Sequence, residues 1–269
     1  MSIRLATRIV AKPWGKDHLP QPFTAPPGER IGEVWFEPPI AFDSLLVKYL
    51  FTSEALSVQV HPSDDQTKAA GLGRQGKEEC WLVVDAEPGA KLGVGFARAI
   101  SAEALRAAAL DGSIEHLLEW HSVDVGDFFY IPANTVHAIG AGISLIEIQQ
   151  NSDITYRLYD YGRPRELHLA EGVAVAKGLP HPPGLRRKVS AEGSEMLVDG
   201  PLFRLDRLDG PPTAATLTRY GAGALLVVPL DGAVTIDGET IAAGQCGLAD
   251  ALADLIVPAG VRALIAQPC

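Results

Sequence analysis

Short runs of β-branched, aromatic and aliphatic residues recur along the whole chain, with turn-forming residues between them: SLLVKYLF, LSVQVH, CWLVVDA, DFFYIPA, ISLIEIQ, ITYRLYDYG, ALLVVPL, AVTIDGETI and ADLIVPAG. Runs of this length at this spacing predict an all-β sandwich or barrel. Glycine (27 residues) and proline (20) are frequent enough to turn the chain between so many strands. The clearest helical signal is SAEALRAAALDGSIEHLLEW, residues 101–120. Ser101 is placed to cap it, Glu103 sits in the first turn, and Asp111-Gly112 divides it into two short helices. Residues 64–75, DDQTKAAGLGRQ, predict a shorter helix or a loop.

Pro and basic residues interrupt the strand pattern at GLPHPPGLRRK, 178–188, which reads as a linker. The β block after it contains LDGAVTIDGETIAAGQ and LIVPAGVRALIAQ, and the block before it contains VDVGDFFYIPANTVHAI. Both show a glycine, then apolar residues, then a Pro-Ala turn, a weak internal repeat. Five residues after Pro132 stands His137; five after Pro258 stands Ala263. The expected division is therefore 1–180, carrying the chemistry and a short helical insertion near 101–120, and 189–269, a degenerate copy without metal.

Net charge of −10 and a pI near 5.2 argue against nucleic acid and anionic membrane as partners. No apolar run approaches the roughly 18 residues that span a bilayer. The N-terminal MSIRLATRIVAKPWGKD lacks an apolar core of signal-peptide length, so the expected location is cytoplasmic. Cys80, Cys246 and Cys269 are too few and too scattered for a disulfide framework or a Cys₄ zinc site. A monomer or weak homodimer is expected.

The chemistry concentrates in three segments. In LSVQVHPSDD, Gln59 and His61 are two apart, so on a strand they share a face, with Val58 and Val60 on the other. In GKEECW, Lys77, Glu79 and Trp81 share a face, which favours Glu79 over Glu78 as the inward carboxylate and turns Cys80 away. In GDFFYIPANTVHAIG, His137 follows a Gly-x5-Pro turn. Gln59, His61, Glu79 and His137 can therefore converge inside a small barrel. Two imidazoles plus oxygen donors suit a Zn²⁺-type ion with room for substrate or water. A buried, satisfied histidine or core amide is the plain alternative for each. The remaining histidines, His18, His116, His121, His168 and His181, lack such a context.

Gly126, Pro132 and His137 match the second motif of the cupin barrel, with Asn134 where glycine is usual; Asn tolerates the positive φ such a turn demands. Together with KPWG, IGEVWF, LSVQVHP, GKEECW, YIPANTVHAIG and EIQQNSDITYRLYDYGR, over roughly residues 10–165, the chain resembles type I mannose-6-phosphate isomerases (phosphomannose isomerases) in their short bacterial form. The resemblance implies a mainly β fold of two cupin-type (jelly-roll) barrels with a small helical segment. It also implies one Zn²⁺ per chain on Gln59, His61, Glu79 and His137, with Lys77 and Arg157 in the active site. Three features depart from the pattern. The chain is short, so any helical cap is reduced. Gly76 stands where longer members have His, and Glu78 where short members have Thr or Ser.

The implied reaction interconverts mannose 6-phosphate and fructose 6-phosphate through an enediol. It needs a base, polarised oxygens and exclusion of water. Lys77 and Glu147 are assigned to proton handling and Arg157 to the developing enediolate. Lys77 can serve as a base only if its pKa is lowered. Glu147 can instead be a structural carboxylate paired with Arg157, and His61 or His137 can act through water. Arg163 and Ser57 are candidates for the phosphate. Trp14, Glu33 and Trp35 resemble positions near the pocket, although core packing is the favoured reading for the tryptophans. Another sugar or sugar-phosphate isomerase, or a non-catalytic sugar-sensing cupin, would carry the same metal set. Gln59 in place of the first His of an HxH motif disfavours an iron oxygenase.

Overall fold

The computed structural model describes residues 3–269. Among these residues the chain is mainly β and its strands form four sheets. The largest has seven strands, in the order Arg186–Lys188, Asp127–Ile131, Glu79–Ala86, Ile143–Gln150, Leu45–Phe51, Ile31–Glu37 and Ala6–Lys16. A five-stranded sheet runs Tyr156–Tyr159, Val58–Val60, His137–Ile139, Lys91–Phe96 and Leu118–Ser122. The later part of the chain supplies most of a six-stranded sheet and all of a three-stranded one.

Alternation of side chains stacks these sheets. Along Ile143–Gln150, Ile146 and Ile148 enter a core with Val47, Phe51 and Leu82, closed from beyond by Leu205, Leu226 and Leu264 of the six-stranded sheet. Leu145 points the other way, toward Trp81, Val83 and the Leu92, Val94 and Ile139 of the five-stranded sheet. Glu147 and Gln149 share that parity. A slip of one residue would carry these polar side chains into the apolar core. Burial of each isoleucine, worth about 1.5–3 kcal/mol, thus fixes the register that aims Glu147 inward.

The outer face of the five-stranded sheet, Val58, Val60 and Ala138, lies under Leu105, Ala108 and Ala109. Those residues belong to the helix Ala102–Asp111, which the Ser101 hydroxyl caps by accepting from the Ala104 N–H at 3.2 Å. Gly112, at φ 83°, ends it in the left-handed conformation, and Ile114–Leu117 forms the second short helix. The shorter helix expected after His61 is Asp64–Ala69, started by a reciprocal Ser63–Gln66 capping box. On the far side of the stack, Leu208, Val227 and Ile265 close on Val234, Ile236 and Leu255 of the three-stranded sheet, and Ala263 is buried among them.

The stretch read as a linker is packed in place. Ile100 N–H donates to Gly178 O at 2.8 Å, Phe96 N–H to Leu179 O at 3.1 Å, and Arg186–Lys188 pairs with Asp127–Ile131. Glycine permits this close approach, since a Cβ at Gly95 would lie 2.5 Å from the His181 backbone nitrogen. In the opposite direction, Ile3–Arg4 pairs with Gly247–Ala251, so the chain start joins the later sheet. Cys80 and Cys246 are buried, Cys269 is exposed, and all three are free thiols. Among the described residues no helix is long and apolar enough to cross a membrane.

Candidate active site

Two cross-strand rows build the site. On the seven-stranded sheet, Trp35 pairs with Lys48, Lys48 with Glu147, Glu147 with Trp81 and Trp81 with Phe129. On the facing five-stranded sheet, Arg157 pairs with Gln59, and Gln59 with His137. Residues directly opposite on neighbouring strands project to one face. The sheets therefore set a carboxylate and a cation, Glu147 and Lys48, against a cation, an amide and an imidazole, Arg157, Gln59 and His137, across the interior.

His61, Glu79 and His137 come together there, each buried, with one potential ligand atom apiece all within 4.8 Å of one another. Both imidazoles are held by their Nδ1 atoms. That of His61 donates to Ile154 O at 2.8 Å and that of His137 to Thr135 O at 2.9 Å. This tautomer leaves each Nε2 lone pair facing the centre, as metal-ligating histidines require. The Gln59 amide reaches to 3.2 Å from His137 Nε2, in place for a fourth donor. Asn134 adopts φ 73°, the positive value its place in the turn demands, and its backbone N–H donates to His61 O at 2.8 Å.

The Glu79 carboxylate is the decisive group. Neither oxygen accepts a well-directed hydrogen bond, although both are buried. The Lys77 ammonium lies 2.5 Å from Oε2, but as an ion pair without hydrogen-bond geometry. Oε1 and Oε2 lie 3.4 Å from His137 Nε2 and 3.7 Å from His61 Nε2. Burial, and then Glu147, push Glu79 up to about 7. Burial drives His137 down to about 4 and, with Lys77, His61 well below its usual value. Two neutral imidazoles around a buried carboxylate with an ammonium as its close partner fit a divalent cation.

Beside this centre, Glu147 lies 3.6 Å from Lys77 Nζ and 3.5 Å from Lys48 Nζ, and accepts from Trp81 Nε1 at 3.1 Å. Burial opposes its charge, but the two ammoniums outweigh burial and hold it at about 2. Its partners are these lysines and the indole, not Arg157. For Lys77, burial is outweighed by Glu147 and Glu79, which raise its pKa above the ordinary lysine value. In this state it is an ammonium, so the lowered pKa that a base role requires is not what its surroundings produce.

A cavity of about 350 Å³ opens from this cluster. Lys77, Glu147, Arg157, Ser57 and Trp14 line it. Arg163 does not. It turns to Asp160, with Nη2 2.8 Å from Oδ1, and to Ala55 O at 2.6 Å. Arg165, two residues on, lines the cavity instead. Sequence reasoning also passed over Lys12, Lys48 and Asp153, all lining residues. Lys48 alternates correctly with Leu50 along its strand, a signal that was present. Lys12 and Asp153 carried none beyond the neighbourhood of their motifs. Trp35 lines the cavity with Lys48 4.1 Å from its ring, and its Nε1 donates to Glu33 at 2.7 Å.

No protein-family model matches the chain. Curated relatives do: the mannose-6-phosphate isomerase ManA of Bacillus subtilis is 45% identical over 137 residues, 49% of this chain and 43% of that protein. The mannose-6-phosphate isomerase of Streptococcus mutans matches to the same extent, 45% over 137 residues. About half of this chain is thus similar in sequence to mannose-6-phosphate isomerases. The matched segment spans about half the length of these curated relatives. In structure the likeness is longer. The crystal structure of the mannose 6-phosphate isomerase from Bacillus subtilis superposes with a TM-score of 0.77 over 99% of both chains, at 24% identity. A phosphomannose isomerase variant from Salmonella typhimurium gives 0.72 over 98% of both, at 13%. The cupin-type fold expected from the motifs is thus the fold of this chain.

Proposed function

We propose that this chain is a metal-dependent aldose–ketose isomerase that interconverts mannose 6-phosphate and fructose 6-phosphate. The observation that carries the proposal is the buried His61–Glu79–His137 cluster, joined through Gln59 and Lys77 to the lining of a cation-rich cavity. Homology to proteins named for this activity supports it.

Gln59, His61, Glu79 and His137 would hold one Zn²⁺ per chain. Bound there, the ion supplies Lewis acidity toward adjacent sugar oxygens, and the neutral Gln59 ligand keeps it more electrophilic than a second carboxylate would. The remaining work falls to the chain itself. Glu147, ionised and held by Trp81 and two lysines, is the group in the right form to accept the proton that leaves carbon. Lys77, an ammonium facing it, is a proton donor and a charge for the developing enediolate. Arg157 adds a second charge from the opposite sheet. Leu50, Leu56, Ile139 and the Trp14 ring give the cavity apolar walls that limit water.

At the other end, Lys12 and Arg165 offer cationic groups for a phosphate within a chain whose net charge is −10. We read 1–180 as the catalytic unit and 189–269 as a supporting unit. In the latter, Tyr220 is buried in the core with its hydroxyl donating to Asp206 at 3.2 Å and to Ile265 O at 3.0 Å. A coupled assay of mannose 6-phosphate conversion to fructose 6-phosphate tests the proposal. Turnover that chelation abolishes and added Zn²⁺ restores is expected; absence of turnover by the zinc-loaded protein would overturn it.

A further inference from the structure

We propose that Asp160 is the positioning residue of the cavity's anion-binding end: it sets Arg165 in place, with Arg163 as a strut. The inference rests on reading the cavity as a sugar-phosphate site, and deepens it by naming what fixes the phosphate end.

Asp160 is a buried carboxylate, 2% exposed, at the start of the excursion from 160 to 168. Its Oδ1 accepts from Arg163 Nε at 3.1 Å, Arg163 Nη2 at 2.8 Å and Arg165 Nη2 at 2.6 Å; its Oδ2 accepts from Arg165 Nε at 2.5 Å. One carboxylate thus organises two guanidiniums, and the cluster keeps a net positive charge. The two arginines then diverge. Arg163 braces the excursion against the preceding segment through Ala55 O and Glu54, 3.6 Å away. Arg165 lines the cavity beside Lys12 and Arg157.

The base of the excursion is tied. His168 N–H donates to Arg157 O at 2.8 Å, and Arg157 N–H to His168 Nδ1 at 3.2 Å. Arg157 Nη1 also donates to Glu166 O at 2.7 Å. The excursion is therefore a closed loop anchored on the strand that carries Arg157, and Asp160 is its internal fastening. Tyr161 and Gly162, at φ 53° and 76°, make the tight turn that brings Arg163 and Arg165 back onto Asp160.

Two effects compete when Asp160 loses its charge. The cavity becomes more positive, which favours an anion. Arg165 also loses one of its two fastenings and the charge that strengthens the other, so it no longer waits in place and must be ordered by the ligand at an entropic cost. Arg165 is partly solvated, so the added charge is screened, and loss of position should dominate.

The test uses zinc-loaded protein and two ligands without a carbonyl, mannitol 6-phosphate and mannitol, by isothermal titration calorimetry. Asp160→Asn and Arg165→Ala should each weaken mannitol 6-phosphate about tenfold and leave mannitol little changed. The double variant should be no weaker than Arg165→Ala alone, because Asp160 acts through Arg165; a merely structural carboxylate would give additive losses. In the coupled assay KM for mannose 6-phosphate should rise by a larger factor than kcat falls. Arg163→Ala, which keeps Asp160 and cuts the strut, should show a smaller loss of the same selectivity, and serves if Asp160→Asn does not fold. Unchanged or tighter binding of mannitol 6-phosphate by Asp160→Asn, or additive losses, would overturn this inference and leave the isomerase reading standing. A parent protein with no preference for the phosphorylated hexitol would overturn both.

Discussion

Replacing Glu79 with glutamine should stabilise the metal-free protein at pH 8, although it removes the carboxylate on which metal binding depends. Glu79 has no solvent exposure, and neither of its oxygens accepts a directed hydrogen bond. Burial, and then the charge of Glu147, push its pKa up to about 7 from an ordinary 4.5, despite the attraction of Lys77. A folded pKa above the unfolded one means the native state binds the proton more tightly. The stability this proton gives is fully present below about 4.5, declines as pH rises, and is lost once pH passes about 7. At about 1.4 kcal/mol per pH unit, the difference across that window is roughly 3 kcal/mol. Glutamine stays neutral throughout, so it keeps the standing of the protonated carboxyl. Urea denaturation in chelator should show variant and parent alike near pH 4.5 and the variant ahead by up to roughly 3 kcal/mol at pH 8. Excess Zn²⁺ should reverse the order, because binding stabilises the parent by mass action and the glutamine site holds the ion poorly. Glu147 titrates lower, so its opposite contribution is lost only as pH falls from 4.5 toward 2 and lies outside the window. A variant less stable than the parent at pH 8 in chelator, or a gap indifferent to pH, would refute the reasoning.

Three further outcomes are expected. His61→Ala or His137→Ala should lose bound metal and turnover together, whereas Glu78→Gln, whose carboxylate faces Tyr130 instead, should keep both; metal analysis of the purified variants decides. Arg157→Ala should lower kcat about tenfold or more with metal content unchanged, as expected for a charge-assisted contact worth roughly 1.5–3 kcal/mol, and an unaltered kcat in the coupled assay would remove Arg157 from the mechanism. Gly76→Ala should cost about 1–3 kcal/mol in thermal or urea denaturation, because a Cβ there would press on the Pro62 carbonyl oxygen and lie 2.7 Å from the Asp64 nitrogen.

The last of these gives physical content to a departure visible in the sequence. Longer isomerases have a histidine before the motif lysine; here the backbone at Gly76 runs against 62–64, and its N–H donates to Asp64 Oδ1 at 2.8 Å. Much of the site was legible because strand periodicity alone sorts Gln59 from Val58 and Glu79 from Cys80. The capping signals at Ser101 and Gly112 were equally local. What the sequence could not give was cross-strand register. That Lys48 stands beside Glu147, and Glu147 beside Trp81, depends on which strands are neighbours. The choice between Arg163 and Arg165 was hidden for a different reason. Both sit in an irregular loop without periodicity, and both bind the same carboxylate; only the path of the turn at Tyr161-Gly162 decides which guanidinium reaches the cavity. The raised pKa of Lys77 was also out of reach, since it depends on two buried carboxylates that approach from different strands.

The most direct test of the account is a metal titration of chelated protein in which bound Zn²⁺ and mannose 6-phosphate isomerase activity are read from the same samples. Activity should rise in proportion to bound metal and level off at one ion per chain, with Glu79→Gln nearly silent across the same range. Full activity in metal-free samples, or activity that keeps rising well beyond the first equivalent, would contradict a single catalytic ion held by Gln59, His61, Glu79 and His137.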